Sequence, residues 1–230
     1  MRAGRTTTLA ACLVMVLSSG GRASEPSVRE FWRLLEQVGA VLVSVSSLGE
    51  GEVREGAIWL TDLETGRRHE VAPDPIYAYP VLEPSGALVA LSKHNLVRID
   101  VATGQARMIA SDVHLRKLIG VAPDGTILAL ADEGALGQPA LVSPSGEVRL
   151  YAAPDSRKER RDVAILNNES RAYAGDRGLI VDRSDHGFDV YLMTTGGRQN
   201  LTDCGTDACG QPALSNDGRQ VVYIRGAAAR

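Results

Sequence analysis

Aromatic residues are scarce in this chain. Two Trp and two Phe in 230 residues leave the hydrophobic core to Val, Leu, Ile and Ala. Charge of one sign is lacking as well. A formal net charge of −3 provides no basic stripe of the kind nucleic-acid binding requires, so nucleic acid is not an expected partner. No apolar run reaches the roughly 20 residues of a membrane-spanning helix. Cysteine is limited to Cys12, Cys204 and Cys209. No His stands near the last two in sequence, and a metal site there would need further ligands. What is plentiful is glycine, 24 residues scattered at turn positions, which suits many short strands better than helices.

The first residues have the order of a secretory signal. Arg2 and Arg5 make a positive start, Leu9 to Leu17 a short apolar region, and Gly21-Arg22-Ala23 a small-residue cleavage site. Residues 1–23 are therefore expected to be a signal peptide, and the protein to be exported. Two alternatives remain, an uncleaved anchor and a lipidated Cys12. The box Leu9-Ala10-Ala11-Cys12 resembles a lipoprotein site, but most of the apolar stretch follows the cysteine. Residues 24–40 read as a linker and a short helix. Phe31, Leu34, Leu35 and Val38 fall on one helical face, with Ser27 as N-cap and Glu30 placed to complete a capping box. In an oxidising compartment, Cys204 and Cys209 across a Gly-containing loop read as a local disulfide, with a redox pair or free thiols as alternatives.

From residue 41 to 230 the chain is organised by a repeat. Val41 to Leu48 alternates like a strand. Ile58 to Asp62, the turn Glu64-Thr65-Gly66 and Arg68 to Val71 follow, then Val81-Leu82, the turn Pro84-Ser85-Gly86 and Ala87 to Leu91. The same order returns with Ala102-Thr103-Gly104 and Pro123-Asp124-Gly125. The two turn types shift by 38 and 39 positions. A third pass is loose, with Pro144-Ser145-Gly146 and an insertion through the charged run 157–162. A fourth runs from Asp189 to Ile224. Four short strands per period near 40 mark a propeller blade, because a single four-stranded sheet cannot bury both faces without neighbours. The expected fold is all-β, a β-propeller of about four to five four-stranded blades with a short N-terminal helix. About four and a half units are legible, to be completed by Val41 to Leu48.

Asp189-Val-Tyr-Leu-Met, Gly197-Arg-Gln-Asn-Leu-Thr and Pro212-Ala-Leu-Ser-Asn-Asp-Gly-Arg-Gln-Val-Val-Tyr resemble the blade repeat of the TolB-like β-propellers. Ala122-Pro123-Asp124-Gly125 is similar to its turn, and Val181 to Asp185 to its acidic turn. The chain departs from the pattern at Ala213 and Val121, where the family prefers Trp or another large residue. The resemblance implies a periplasmic or secreted bacterial scaffold that binds an envelope protein or peptide, is not an enzyme and needs no cofactor. Related blades also cover serine peptidases, but no Gly-x-Ser-x-Gly elbow occurs here. The competing expectations are an enzyme or sugar-binding protein using the central channel, and an incomplete propeller without independent activity.

The candidate chemistry is sparse. His69, His94, His114 and His186 occupy different places in their units, so a shared metal site is not expected. Asp182, Asp185 and Asp189 miss the spacing of a calcium loop and read as turn residues. Asn168-Glu-Ser and Asn200-Leu-Thr match a glycosylation pattern that is uninformative in a bacterial protein. Arg157 to Arg161 reads as a solvated loop or a patch for an acidic partner. The loops entering the inner strands crowd one rim of a propeller. They are Pro73 to Tyr79, Ser111 to Lys117, Arg157 to Asp162 and Thr202 to Gln211. Tyr77, Tyr79, His114, Arg116 and Arg160, with the Cys204–Cys209 loop, are thus the candidate binding face, and aromatic and Arg side chains are the common binding hot spots.

Overall fold

In a computed structural model the described residues are 28–38, 53–135, 137–151, 156–168, 173–174, 177–185 and 187–227. Their strands form antiparallel four-stranded units, and the fold is a β-propeller. Chain order gives α1 (Val28–Gln37), β1 (Gly56–Asp62), β2 (Arg68–Leu82), β3 (Leu88–Ser92), β4 (Asn95–Ile99) and β5 (Ala106–Ala110). Next come β6 (Leu115–Val121), β7 (Ile127–Ala131), β8 (Gln138–Val142), β9 (Val148–Leu150), α2 (Arg157–Asn168) and β10 (Tyr173–Ala174). The last are β11 (Arg177–Arg183), β12 (Phe188–Thr194), β13 (Gly197–Asn200), β14 (Ala208–Leu214) and β15 (Gln220–Gly226).

One long strand serves two units. The first part of β2, Arg68 to Ala72, pairs with β1, whereas Tyr77 to Leu82 pairs with β3. The first unit is therefore the second half of β2 with β3, β4 and β5. The second is β6 to β9, and the third is β10 to β13. The fourth combines both ends of the chain, β14-β15-β1 and the first half of β2.

Burial explains why the central strands read as unbroken apolar runs. Successive residues of β3 go to opposite cores: Leu88 and Ala90 face the fourth unit, Val89 and Leu91 face the second. In β15, Val222 and Ile224 face the first unit, while Val221 and Tyr223 face the third. In β7, Ile127, Ala129 and Ala131 face the first unit; Leu128 and Leu130 face outward. That last face is covered by α1, whose Phe31, Leu34 and Leu35 pack on Leu128, Leu130, Leu141 and Tyr151 together with Val163 of α2. The units stack in the order third, fourth, first, second, and then α1. Gly120 lets the end of α1 approach, because a Cβ there would overlap Val38 Cγ1. Glu30 in the first turn of α1 accepts hydrogen bonds from Arg149 Nη2 at 2.6 Å and Tyr151 OH at 3.0 Å. Its expected capping partner, Ser27, lies outside the described residues.

Both turn types are built as repeats. Asp62 and Asp100 each accept from the backbone amide of the Thr three residues on, Thr65 at 2.7 Å and Thr103 at 2.8 Å. Each loop then ends in a glycine at positive φ, 68° for Gly66 and 70° for Gly104. These amides and the Thr hydroxyls hold both carboxyls below the usual aspartate range. The other turn closes with the amide of Gly86, Gly125, Gly146 or Gly218 donating to the carbonyl three residues earlier.

Two expectations need correction. The free edge of β15 is taken by β1, with Ile58 opposite Ile224 and Leu60 opposite Val222. Val41 to Leu48 lies outside the described residues. The charged run 157–162 is not a loop but the first part of α2. The reason is local: Arg, Lys and Glu are good helix formers with no Gly or Pro among them.

Ile224 is fully buried at the joint between the two chain ends. Ile224→Ala is expected to lower unfolding free energy by about 2–5 kcal/mol. Met108→Ala, at a residue 57% exposed, should stay within about 0.5 kcal/mol. Urea titrations of the two variants check this contrast.

Candidate interaction rim

An antiparallel four-stranded unit puts its first and third hairpin turns at one end. Its middle turn and the crossing to the next unit lie at the other. The Pro-Ser-Gly-type and Asp-x-x-Thr-Gly turns therefore share one end of the molecule. The crossings Pro73 to Ile76, Ser111 to His114 and Leu201 to Asp207 share the opposite rim with the turn at Lys93-His94 and the loop from Asp132. Crossing loops held by a rigid sheet scaffold are where binding residues concentrate.

Three devices stiffen this rim. The first is a clamp between inner strands. Tyr79 and Gln211 occupy the same repeat position, each before a proline, and each has left-handed φ, 50° and 51°. Such φ values are uncommon for non-glycine residues and need surrounding contacts to hold them. Here Gln211 Oε1 accepts from the Tyr79 amide at 2.5 Å. Its Nε2 donates to the carbonyls of Val53 at 3.1 Å and Arg54 at 3.0 Å. One amide side chain thereby joins the fourth unit, the first unit and the chain entering β1.

The second device is the stapled loop. Cys204 and Cys209 form a disulfide with Cα atoms 6.1 Å apart. The loop is also gripped by Asp189, which is 2% exposed. Its carboxylate accepts from the Cys204 amide at 2.7 Å, Thr202 Oγ1 at 2.9 Å and Asn200 Nδ2 at 3.1 Å. Burial pushes the Asp189 carboxyl up, but these donors and Ser184 outweigh it and leave the group below the usual aspartate range. Arg225 braces the other side, donating to Asp207 at 2.9 Å and to the Cys204 carbonyl at 3.3 Å. The sulfurs lie inward, within the core shared by Leu179, Val181, Val190 and Tyr223.

The third device is Arg116. Its guanidinium donates to Asp132 at 2.7 Å and 3.0 Å and to the carbonyls of Gly134 and Ala135, both at 3.1 Å. These bonds fasten the loop between β7 and β8.

The five candidate binding residues thus take different places. His114 is exposed on the rim, with its ring 6.1 Å from that of His94. Tyr79 is half-buried between inner strands, and Arg116 holds a neighbouring loop. Tyr77 is 4% exposed and belongs to the core between the first and fourth units. Arg160 is exposed on α2, in the crossing from the second unit to the third. The sequence reading missed Gln211, Asp132, the role of Asp189 and the pairing of His94 with His114. Tyr79-Pro80 and Gln211-Pro212 at matching positions were a usable signal for the clamp. The histidine pair had none, because a turn and a crossing meet only through the fold. Ile76, 36% exposed between prolines and the clamp, is the apolar side chain offered at the rim.

Since its folded-state pKa is depressed, Asp189 contributes stability above the unfolded value of about 3.9, and that contribution is lost as pH falls from there through the folded value. Asp189→Asn opposes a side-chain amide to the Cys204 amide and should cost about 1–3 kcal/mol at neutral pH. The gap to wild type should shrink below about pH 4. Denaturant titrations across pH measure it, and a gap independent of pH would contradict the assigned role.

No protein-family model matches the chain, and no curated protein matches it. Solved structures do resemble it. A structure assigned as TolB from Agrobacterium tumefaciens is 19% identical, with 71% of this chain and 59% of that one covered and a TM-score of 0.39. TolB from Acinetobacter baumannii is 20% identical, with coverage of 76% and 50% and a TM-score of 0.38. A chain of a nidogen/laminin complex is 14% identical, with coverage of 74% and 75% and a TM-score of 0.34. The chain spans between half and three-fifths of the length of the two TolB chains. At these scores the fold assignment rests on the chain's own strand pairing.

Proposed function

We propose that this protein is an exported, non-enzymatic propeller scaffold that binds a protein or peptide partner in the cell envelope through the crossing-loop rim. The observation that carries the reading is the rim's construction. The left-handed Tyr79–Gln211 clamp and the doubly gripped cysteine loop hold crossing loops in one geometry, and a pre-ordered surface loses less entropy on binding. Between them the exposed segment Pro73 to Ile76 presents an apolar side chain on a proline-stiffened backbone. The disulfide and the signal-like residues 1–23 support export. No helix among the described residues is long and apolar enough to cross a membrane.

The rival use of the central channel is less favoured. Asn216 Nδ2 donates to the Val121 carbonyl at 3.4 Å, a bond between the fourth and second units. Ala213 packs against the cores on both sides of the first unit. These contacts link the second and fourth units past the first. Pairing of β1 with β15 completes the fourth unit from strands far apart in sequence.

Affinity capture from an envelope extract should return a reproducible partner. Ile76→Asp with His114→Ala should weaken capture at an unchanged unfolding midpoint, while Arg160→Ala should matter less. Equal capture by the double variant would reject the rim.

The staple gives a second expectation. Cross-linking so short a loop supplies about 2 kcal/mol. Cys204→Ser with Cys209→Ser should cost more, because the sulfur sites are 2% and 0% exposed and each buried hydroxyl left unpaired adds about 1–3 kcal/mol. Cys204→Ala with Cys209→Ala, free of that penalty, should weaken capture relative to wild type. Unfolding by denaturant and the same capture assay separate the two effects.

A further inference from the structure

We infer that His94 and His114 form a two-imidazole site for a divalent transition-metal ion, Cu²⁺ above Zn²⁺, on the crossing-loop rim. The two residues are 20 positions apart, and the fold brings them together. His94 lies in the two-residue turn between β3 and β4, and His114 in the crossing from β5 to β6. Their ring centroids are 6.1 Å apart, with the planes tilted by 55°. Two imidazoles sharing an ion at about 2.0–2.1 Å per nitrogen have centroids roughly 4.5–6.5 Å apart, for coordination angles from a right angle to a straight line. The observed separation falls within that range.

The backbones beneath the rings are fixed. The Val113 amide donates to the His94 carbonyl at 2.7 Å, and the Asp132 amide donates to the His114 carbonyl at 2.7 Å. The first bond ties the turn to the crossing, so the two Cα positions do not move independently. Lys93 and Asp112, both at φ 55°, shape the turn and the crossing. Both histidines are exposed, so an ion has a path from solvent.

Ligand number sets the kind of site. Among the described residues no group of three or more His, Cys, Asp or Glu side chains converges. A closed structural zinc site needs four protein ligands, so this pair does not make one. Two imidazoles with the remaining positions open to water suit an ion that tolerates mixed nitrogen and oxygen ligands. For such a set the divalent series favours Cu²⁺ over Zn²⁺. Both rings are exposed, so a carboxylate or imidazole of another molecule can take an open position.

The test uses the full chain with its disulfide intact and the metal salts alone as probes. Calorimetric titration with Cu²⁺ should show one ion per chain, bound more tightly than Zn²⁺. Electron paramagnetic resonance of the Cu²⁺ complex should show two imidazole nitrogens. His94→Asn or His114→Asn should each weaken binding by at least the ~10-fold that loss of a ligand's outer-shell partner costs. His69→Asn, on the outer part of β2, should leave it unchanged. Metal should raise the unfolding midpoint of wild type and not of the double variant. The inference is overturned if no stoichiometric binding occurs, if Zn²⁺ binds as tightly as Cu²⁺, or if His94→Asn with His114→Asn retains the site.

Discussion

The central strands β3, β7 and β15 must each bury two faces at once, and much of the rest of the structure follows from that. A sheet with one wet face alternates apolar and polar residues; here β7 and the middles of β3 and β15 are unbroken apolar runs, and the alternation is between two different cores. Such a strand is stable only between neighbours. The first unit has them in the fourth and second units, and the fourth has them in the third and first. Among the described residues the second unit packs on a sheet at one side, and α1 supplies the cover at the other. A helix of ten residues with Phe31, Leu34 and Leu35 on one face does there what a neighbouring sheet does elsewhere. The scarcity of aromatics is consistent with this construction, since stacked sheets are filled by Val, Leu, Ile and Ala pointing alternately both ways.

Sharing of one unit by both chain ends meets the same constraint at the edge. Without β1, β15 would expose a row of backbone groups and the apolar faces of Val222 and Ile224. Pairing with β1 satisfies both. It also places β2 so that one continuous strand leaves the fourth unit and enters the first, with Pro73 and Pro75 at the passage. Proline is tolerated there because this stretch lies between two pairings and its amides are not needed for a ladder.

The repeat was legible because its turns are chemically distinctive. Asp-x-x-Thr-Gly and Pro-Ser-Gly or Pro-Asp-Gly fix hairpins by local hydrogen bonds and positive φ, and local rules are what a sequence displays. The α1 helix was legible for the same reason, through the spacing of Phe31, Leu34 and Leu35. The partner of β15 was not, because any apolar strand of suitable length fits an open edge. Only long-range pairing decides between residues 41–48 and 58–62. The α2 segment was misread because its charge suggested solvent, while Arg, Lys and Glu also favour a helix. Tyr77 looked like a rim aromatic by position in the crossing, yet strand period turns it into the core. At the rim, residue types were visible and their relations were not. Arg116 was noticed as a cation, but its engagement with Asp132 and two carbonyls depends on a loop from another hairpin.

The departures from the repeat also have a physical reading. Ala213 and Val121 stand where a large residue is common in similar blades. Both lie on inner strands, and the bond from Asn216 to the Val121 carbonyl spans from the fourth unit to the second. A small side chain at position 213 lets the residue touch the cores on both sides of the first unit. The inner positions are thus used for packing between units. Specific contacts with other molecules are displaced outward, to crossings whose backbones are held by Gln211, Asp189 and Arg116. Gln211 bonds only main-chain groups, whereas Asp189 and Arg116 bond both main-chain and side-chain groups of a neighbouring segment. What such a rim offers to solvent is its shape and the few side chains left over, Ile76 and the histidine pair among them.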